Sequence, residues 1–435
     1  MNDQRRQSMR EKALKASIWL VAVFCVVAVW QSKVQSQELK KSGRYYVAEI
    51  NKTYEVGDGG RLIVSEVRGN VEVTAGADGQ VIIHEIIKMD IFTREEAEAA
   101  VRRSKSSYLQ KGNVIEVGGG YHRRNWIQSE FDISVPASFD VEVETRGGDI
   151  KVGGVNGNVE LSTSGGDITL KDIGGEVEVR TSGGDIVVIN SRKKVKLKTS
   201  GGDIELQDIG GSLTAKTSGG DIFLRRAEGE VELKTSGGDI EIADVGGAVT
   251  AHTSGGDIEV KNTQGAVEVH TSGGDINLTK IGGALDASTS GGDISGRSIA
   301  GSASVSTSGG SIELADVKGG VEGKTAGGDI EVEITLTDFS GNHNIDLRTA
   351  GGEITLYIPE KLPATIRAEI EITDLWRDYN IYSDFPLTSS EDTEEGRRSR
   401  RRKRFVTSEG DINGGGDLIE LYSTNGDIHI KMLRE

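Results

Sequence analysis

Branched apolar residues alternate with polar ones through the middle of this chain, and the alternation restarts on a fixed step. In residues 255–272, Ile258 and Val260 alternate with Glu259 and Lys261; after Gly265, Val267 and Val269 alternate with Glu268 and His270. A period of two predicts strands, and the glycine-bearing stretches between them predict turns. The unit returns every 18 residues: Gly-Gly-Asp-Ile starts at Gly147, Gly165, Gly183, Gly201, Gly219, Gly237, Gly255, Gly273, Gly291 and Gly327, with Gly309-Gly310-Ser311-Ile312 in the same series. Inward columns follow, one through Ile204, Ile222 and Ile240, another through Val231, Val249 and Val267. Two short strands per unit and no room for a third face predict an all-β fold, a thin β-solenoid of two sheets with 18-residue coils.

One coil buries about five aliphatic side chains, which does not offset the entropy of ordering 18 residues. Stability must come from stacking. With parallel strands ~4.8 Å apart, residues 147–330 make a rod on the order of 50 Å long. The glycines are expected at turns that need positive φ. Lys193 breaks the second glycine column within Arg192-Lys193-Lys194, which predicts an irregular basic turn. Gly296 and Ala303 thin the core, which predicts the weakest coil near residue 300.

The pattern changes at both ends. Basic residues 1–16 precede an apolar run at 18–30, which reads as a signal peptide within residues 1–36 or as an uncut anchor. Residues 37–58 read as an exposed lead-in. Residues 59–146 hold a first coil at 59–78 and a cap with a helix over 93–110, opened by Thr93 with Glu96 as a capping box. The regular solenoid spans 147–334. Residues 335–435 form its end, with an insertion at 335–344, a strand at 364–372 and a final coil around Ile428. A charge block at 389–404 has no apolar period and predicts a disordered loop.

The chain has 435 residues, a net charge of −17, 60 glycines and 5% aromatics, which suits a narrow core. Its acidity argues against nucleic acid as a partner. The single cysteine, Cys25, excludes an internal disulfide and reads as part of the apolar run.

Candidate chemistry sits in columns. Asp203, Asp221, Asp239 and Asp257 belong to an aspartate series. Carboxylates ~4.8 Å apart repel by nearly 1 kcal/mol a pair even in water, so something must offset them. Calcium would need a Gly-x-Asp in each half-coil that is missing here. The plainer readings are backbone N–H donors in the Gly-Gly turn and a basic column five residues earlier, with Lys198, Lys216, Lys234, His252 and His270. The threonine column through Thr271 should point inward by parity, against an ice-binding face. Arg397, Arg398, Arg400, Arg401, Arg402, Lys403 and Arg404 either bind an anionic partner or pair with their own acidic neighbours, residues 391–395. No set of unlike groups converges as an active site needs, and no cofactor is implied.

The runs Thr-Ser-Gly-Gly-Asp-Ile, the Gly-x-Val-x-Val half-coils, Asp411-Ile412-Asn413-Gly414-Gly415-Gly416 and Thr424-Asn425-Gly426-Asp427-Ile428 resemble the bacterial family of adhesin-like β-strand repeat domains of unknown function, also called the putative adhesin family. The resemblance covers roughly residues 45–435. It implies an envelope or secreted β-helical protein and carries no catalytic residues. The expectation is an exported, non-catalytic scaffold that contacts a polysaccharide, a surface protein or another copy, with residues 18–30 holding it to the membrane if the signal is uncut. The alternatives are a polysaccharide-acting β-helix enzyme and a calcium-dependent roll.

Overall fold

The computed structural model describes residues 39–433, apart from residues 77, 104–105, 120–126, 337, 375 and 396–401. The expected export segment and Cys25 lie outside the described residues. Among the described residues no helix is long and apolar enough to cross a membrane.

Each 18-residue unit closes one circuit and lays one strand on each of two parallel sheets. On the first sheet, Ile168–Ile173, Ile186–Ser191 and Ile204–Ile209 are successive rungs. Ile204 pairs with Ile222, and Ile222 with Ile240. On the second sheet, Val177–Arg180, Val195–Lys198 and Leu213–Lys216 stack in the same way. Ile168, Leu170, Ile173, Val177 and Val179 from a single circuit are all at most 2% exposed. Their columns merge into one hydrophobic cluster running from Leu62 to Ile430.

The first-sheet strand turns a corner that alternation did not predict. Asp172, Asn190, Asp208, Arg226, Asp244, Asn262, Lys280, Ser298 and Asp316 all have φ between 56° and 64°. This left-handed residue swings the next side chain inward, giving the buried column Ile173, Ser191, Ile209, Ala227, Val245 and Thr263. Asp and Asn tolerate that region best among residues with a side chain, which explains their frequency there. The Gly-Gly turns of the coils from Gly165 to Gly327 do not adopt positive φ, contrary to expectation. The Arg192-Lys193-Lys194 turn also keeps the common shape: the Arg192 N–H donates to the Ile173 carbonyl at 3.0 Å, as Gly210 does to Ser191 at 2.7 Å. The thin place near residue 300 is filled, since a Cβ on Gly296 would lie 2.7 Å from Leu314 and 3.0 Å from Ile299 side-chain atoms.

Both ends depart from sequence order. The coil formed by Gly60–Val67 and Val71–Ala75 is not the first rung. It lies between Phe139–Thr145 with Ile150–Gly153 on one side and Val114–Gly118 with Ile127–Val135 on the other. The expected lead-in is structured: Tyr45–Glu55 pairs antiparallel with Gln80–Met89 over ten residue pairs, and Leu39–Ser42 adds an edge. The helix is shorter than expected, Arg94–Arg103. Its start is as read, with the Glu96 N–H donating to Thr93 Oγ1 at 3.3 Å. It stops early because Ser107–Lys111 turns back through Gly112 onto Val114–Gly118. Ala97, Ala100 and Val101 cover a second apolar cluster with Tyr46, Ile50, Ile87 and Met89.

At the other end, the C-terminal coil of Asp417–Thr424 and Ile428–Leu433 stacks directly on Ile345–Thr349 and Ile354–Pro359. Ala364–Ile372 and Ile381–Ser383 come earlier in the chain yet lie outside it. The charge block is not a disordered loop as a whole. Thr388–Glu395 and Arg402–Ile412 form an antiparallel hairpin, with Glu395 opposite Arg402 and Glu394 opposite Lys403. Where the side chains are described, Arg404 lies 3.3 Å from Glu391 across the pair, and opposite charges so placed stabilise strands that have no apolar period. Residues 396–401 lie outside the described residues.

Candidate functional site: the charged columns

The aspartate column is a ladder of backbone hydrogen bonds. The N–H of Asp221 donates to Asp203 Oδ1, that of Asp239 to Asp221 Oδ1 and that of Asp257 to Asp239 Oδ1, each at 2.8 Å. Ser311 continues it on Asp293 at 2.7 Å, and Glu353 on Asp329 at 2.8 Å. The donors come from the next rung, not from the aspartate's own turn. Each carboxylate is thus held by an N–H that partly offsets its neighbours' charge. The basic column plays no part: Arg180 pairs with Glu178, Lys216 with Glu232 and Lys324 with Glu322, all on the second sheet. Among the described residues no three His, Cys, Asp or Glu side chains are placed to hold a metal ion.

Behind the ladder runs the threonine column, buried as parity predicted. Thr235 Oγ1 donates to the Gly220 carbonyl at 2.8 Å, one rung back, and accepts from the Gly238 N–H at 3.4 Å. The second glycine of each pair is needed for close approach. A Cβ on Gly220 would lie 2.2 Å from the Gly202 carbonyl oxygen, whereas on Gly219 the nearest atom is 3.6 Å away.

On the outer face of the second sheet, Arg180, Lys198, Lys216 and Lys234 stand in register on four successive rungs, and His252 and His270 follow. The two imidazole rings are 6.2 Å apart, and His270 Nδ1 lies 2.8 Å from Ser288 Oγ. Lys196 donates to Glu178 Oε1 at 3.1 Å. That hydrogen bond, with the charges of Lys196 and Arg180, holds the Glu178 carboxyl below its usual range. Lys198 and Lys234 have no carboxylate in ion-pair reach among the described residues.

The basic hairpin is largely self-paired where it is described. Lys403 pairs with Glu371, and Arg404 with Asp378 at 2.8 Å and Glu391 at 3.3 Å. Arg397, Arg398, Arg400 and Arg401 lie outside the described residues, and Arg402 is placed only as a strand residue.

Sequence reasoning missed a buried polar cluster in the N-terminal cap. Glu85 is fully buried where the two apolar clusters meet. Ser106 Oγ donates to its Oε1 at 2.7 Å, and the Tyr108 hydroxyl donates to Oε2. Burial, reinforced by the Glu85 charge, pushes the Tyr108 phenol well above its usual value. The signal was there as a glutamate at an inward position of His84-Glu85-Ile86-Ile87. Its partners become neighbours only after the chain has passed through the helix.

The Toastrack DUF4097 family model matches residues 101–244, 225–298 and 248–413, together well over half of the sequence. The chain belongs to the Toastrack DUF4097 family. Overlapping matches are what a Toastrack chain of near-identical coils produces, since one pattern fits in several registers. Three solved structures are similar at low identity. A putative adhesin from Bacteroides fragilis NCTC 9343 shares 13% identity, over 88% of this chain and 97% of that one, at a TM-score of 0.22. A putative cell adhesion protein from Clostridium sporogenes ATCC 15579 shares 9%, over 88% and 100%, at 0.15. A putative adhesin from Parabacteroides merdae ATCC 43184 shares 14%, over 69% and 100%, at 0.22. Scores this low carry no functional weight. No curated protein matches this chain at a significant level.

Proposed function

We propose that this Toastrack chain is an exported, adhesin-like contact scaffold that performs no chemistry of its own. One observation carries the reading: its exposed charges are laid out in columns held in register from rung to rung on two parallel sheets. A catalytic centre needs groups of unlike role around one point. A face that repeats one contact at every rung suits an extended or repetitive partner, such as a polysaccharide or a surface protein. Export rests on the basic and apolar pattern of residues 1–36. The test is a binding screen of the full chain against glycans and surface proteins, with product analysis on every glycan bound. Binding without turnover supports the reading; cleavage of any bound glycan overturns it in favour of a polysaccharide-acting enzyme.

A further inference from the structure

We propose that Lys193, Lys194, Lys196, Lys198, Lys216 and Lys234 form a docking strip for a linear anionic polysaccharide lying along the solenoid axis. This rests on the contact-scaffold reading and names the partner's chemistry.

The starting point is a contrast between two stacked columns of like charge. The aspartates repel, but each accepts a backbone N–H from the next rung. No such internal remedy serves the lysines. Lys198, Lys216 and Lys234 face one another in direct register, at the rung spacing of ~4.8 Å. Like charges so placed destabilise a sheet. Lys216 reaches Glu232, while Lys198 and Lys234 have no ion-pair partner among the described residues. The turn beside them adds to the cost. Lys193 replaces the glycine found at Gly175 and Gly211 in adjacent coils, and Lys194 follows it, both exposed and without an ion pair among the described residues. A protein of net charge −17 concentrates six lysines here, pairs Lys196 with Glu178 and Lys216 with Glu232, and leaves the other four for something else to neutralise. An anion from outside would do so.

Geometry selects the anion. Lys198, Lys216 and Lys234 stand one per rung along the axis, and Lys193, Lys194 and Lys196 widen the first of these rungs towards its turn. Glu178 and Glu232 bound the positive potential in the adjoining column, which also holds Lys196 and Thr214. A linear polymer can follow so narrow a strip. An anionic membrane would also press on those glutamates. Single-stranded nucleic acid is held by aromatic platforms between cations. The only Phe, Tyr or Trp in residues 147–334 is Phe223, which faces outward on the opposite sheet, and the imidazoles of His252 and His270 follow the lysines rather than standing between them. The hydroxyl and carboxylate groups of Thr214 and Glu232 suit the hydroxyls of a sugar.

The test uses the full chain, with polygalacturonate as probe and dextran, oligothymidylate and phosphatidylglycerol vesicles as comparisons. The variant Lys193→Gly/Lys196→Thr/Lys198→Ser takes each new residue from an equivalent position in another coil, so the fold accepts all three. Polygalacturonate should bind, weaken as salt is raised, and lose at least ~10-fold in affinity in this variant. Lys171→Thr/Lys261→Thr, on the other sheet, should bind as the parent does. An unchanged affinity in the triple variant, or no binding of polygalacturonate, overturns the proposal, as does equal capture of oligothymidylate or vesicles through the same lysines. If a surface protein is bound and polygalacturonate is not, this inference fails while the scaffold reading stands. Turnover of polygalacturonate defeats the scaffold reading itself.

Discussion

The two glycines of a Gly-Gly-Asp-Ile turn look alike in sequence and do different work. Gly220→Ala drives a methyl group into the Gly202 carbonyl, which no rotamer change relieves. It should destabilise the protein by ~1–3 kcal/mol. Gly219→Ala has room and should stay within ~0.5 kcal/mol of the parent in urea unfolding. The aspartate ladder separates hydrogen bonding from charge in a similar way. Asp221→Ala strips the Asp239 N–H of its acceptor and should cost ~1 kcal/mol. Asp221→Asn keeps the acceptor oxygen and removes a stacked charge, so its unfolding midpoint should equal or exceed the parent's. A lower midpoint for Asn than for Ala would mean the charge itself is required. The inward threonines and the isoleucine spine were legible from parity alone. The left-handed corner was not, because Arg226, Lys280 and Ser298 occupy it as well as Asp and Asn.

Among the elements, the terminal hairpin differs most from its sequence reading. A block without apolar period looked unable to fold, and charge pairing across two strands changes that. Glu371 is a testable joint. The hydrogen bond from Lys403, then that from the Tyr422 hydroxyl, holds its carboxyl below the usual range. A folded-state value below the unfolded one means this stabilisation is complete above the ordinary carboxylate range. It is lost as pH falls through the depressed folded value. Amide exchange in Arg402–Ile412 should therefore accelerate on acidification, and Lys403→Met should move that onset to higher pH. Exchange that ignores pH in the parent would remove the joint from the account. The helix start was legible from Thr93 and Glu96; its end was set by a hairpin and a buried glutamate that no local pattern reveals.

Across the whole molecule, stability should follow the rungs rather than the residue count. Deleting residues 219–236 removes one complete circuit and leaves every column in register. The product should fold into a rod shorter by about one strand spacing, ~4.8 Å, in small-angle scattering. Deleting residues 219–227 loses half a circuit, brings outward positions to inward places and should abolish cooperative unfolding. Truncation after residue 413 should be worse than loss of an interior coil. It withdraws the rung wedged between Ile345–Thr349 and Ala364–Ile372 and uncovers both.

Side-chain alternation and an invariant step are local quantities, so the chain alone determined the strands, the circuit length, the inward columns and the charged columns of each face. It could not choose which rung lies beside which at the ends. Every rung presents nearly the same backbone edge, and both 60–75 and 417–433 pass over the nearest free edge to fill a place between two others. Only contacts among distant segments discriminate between those places: the antiparallel cover of Tyr45–Glu55 at one end and the charged hairpin at the other.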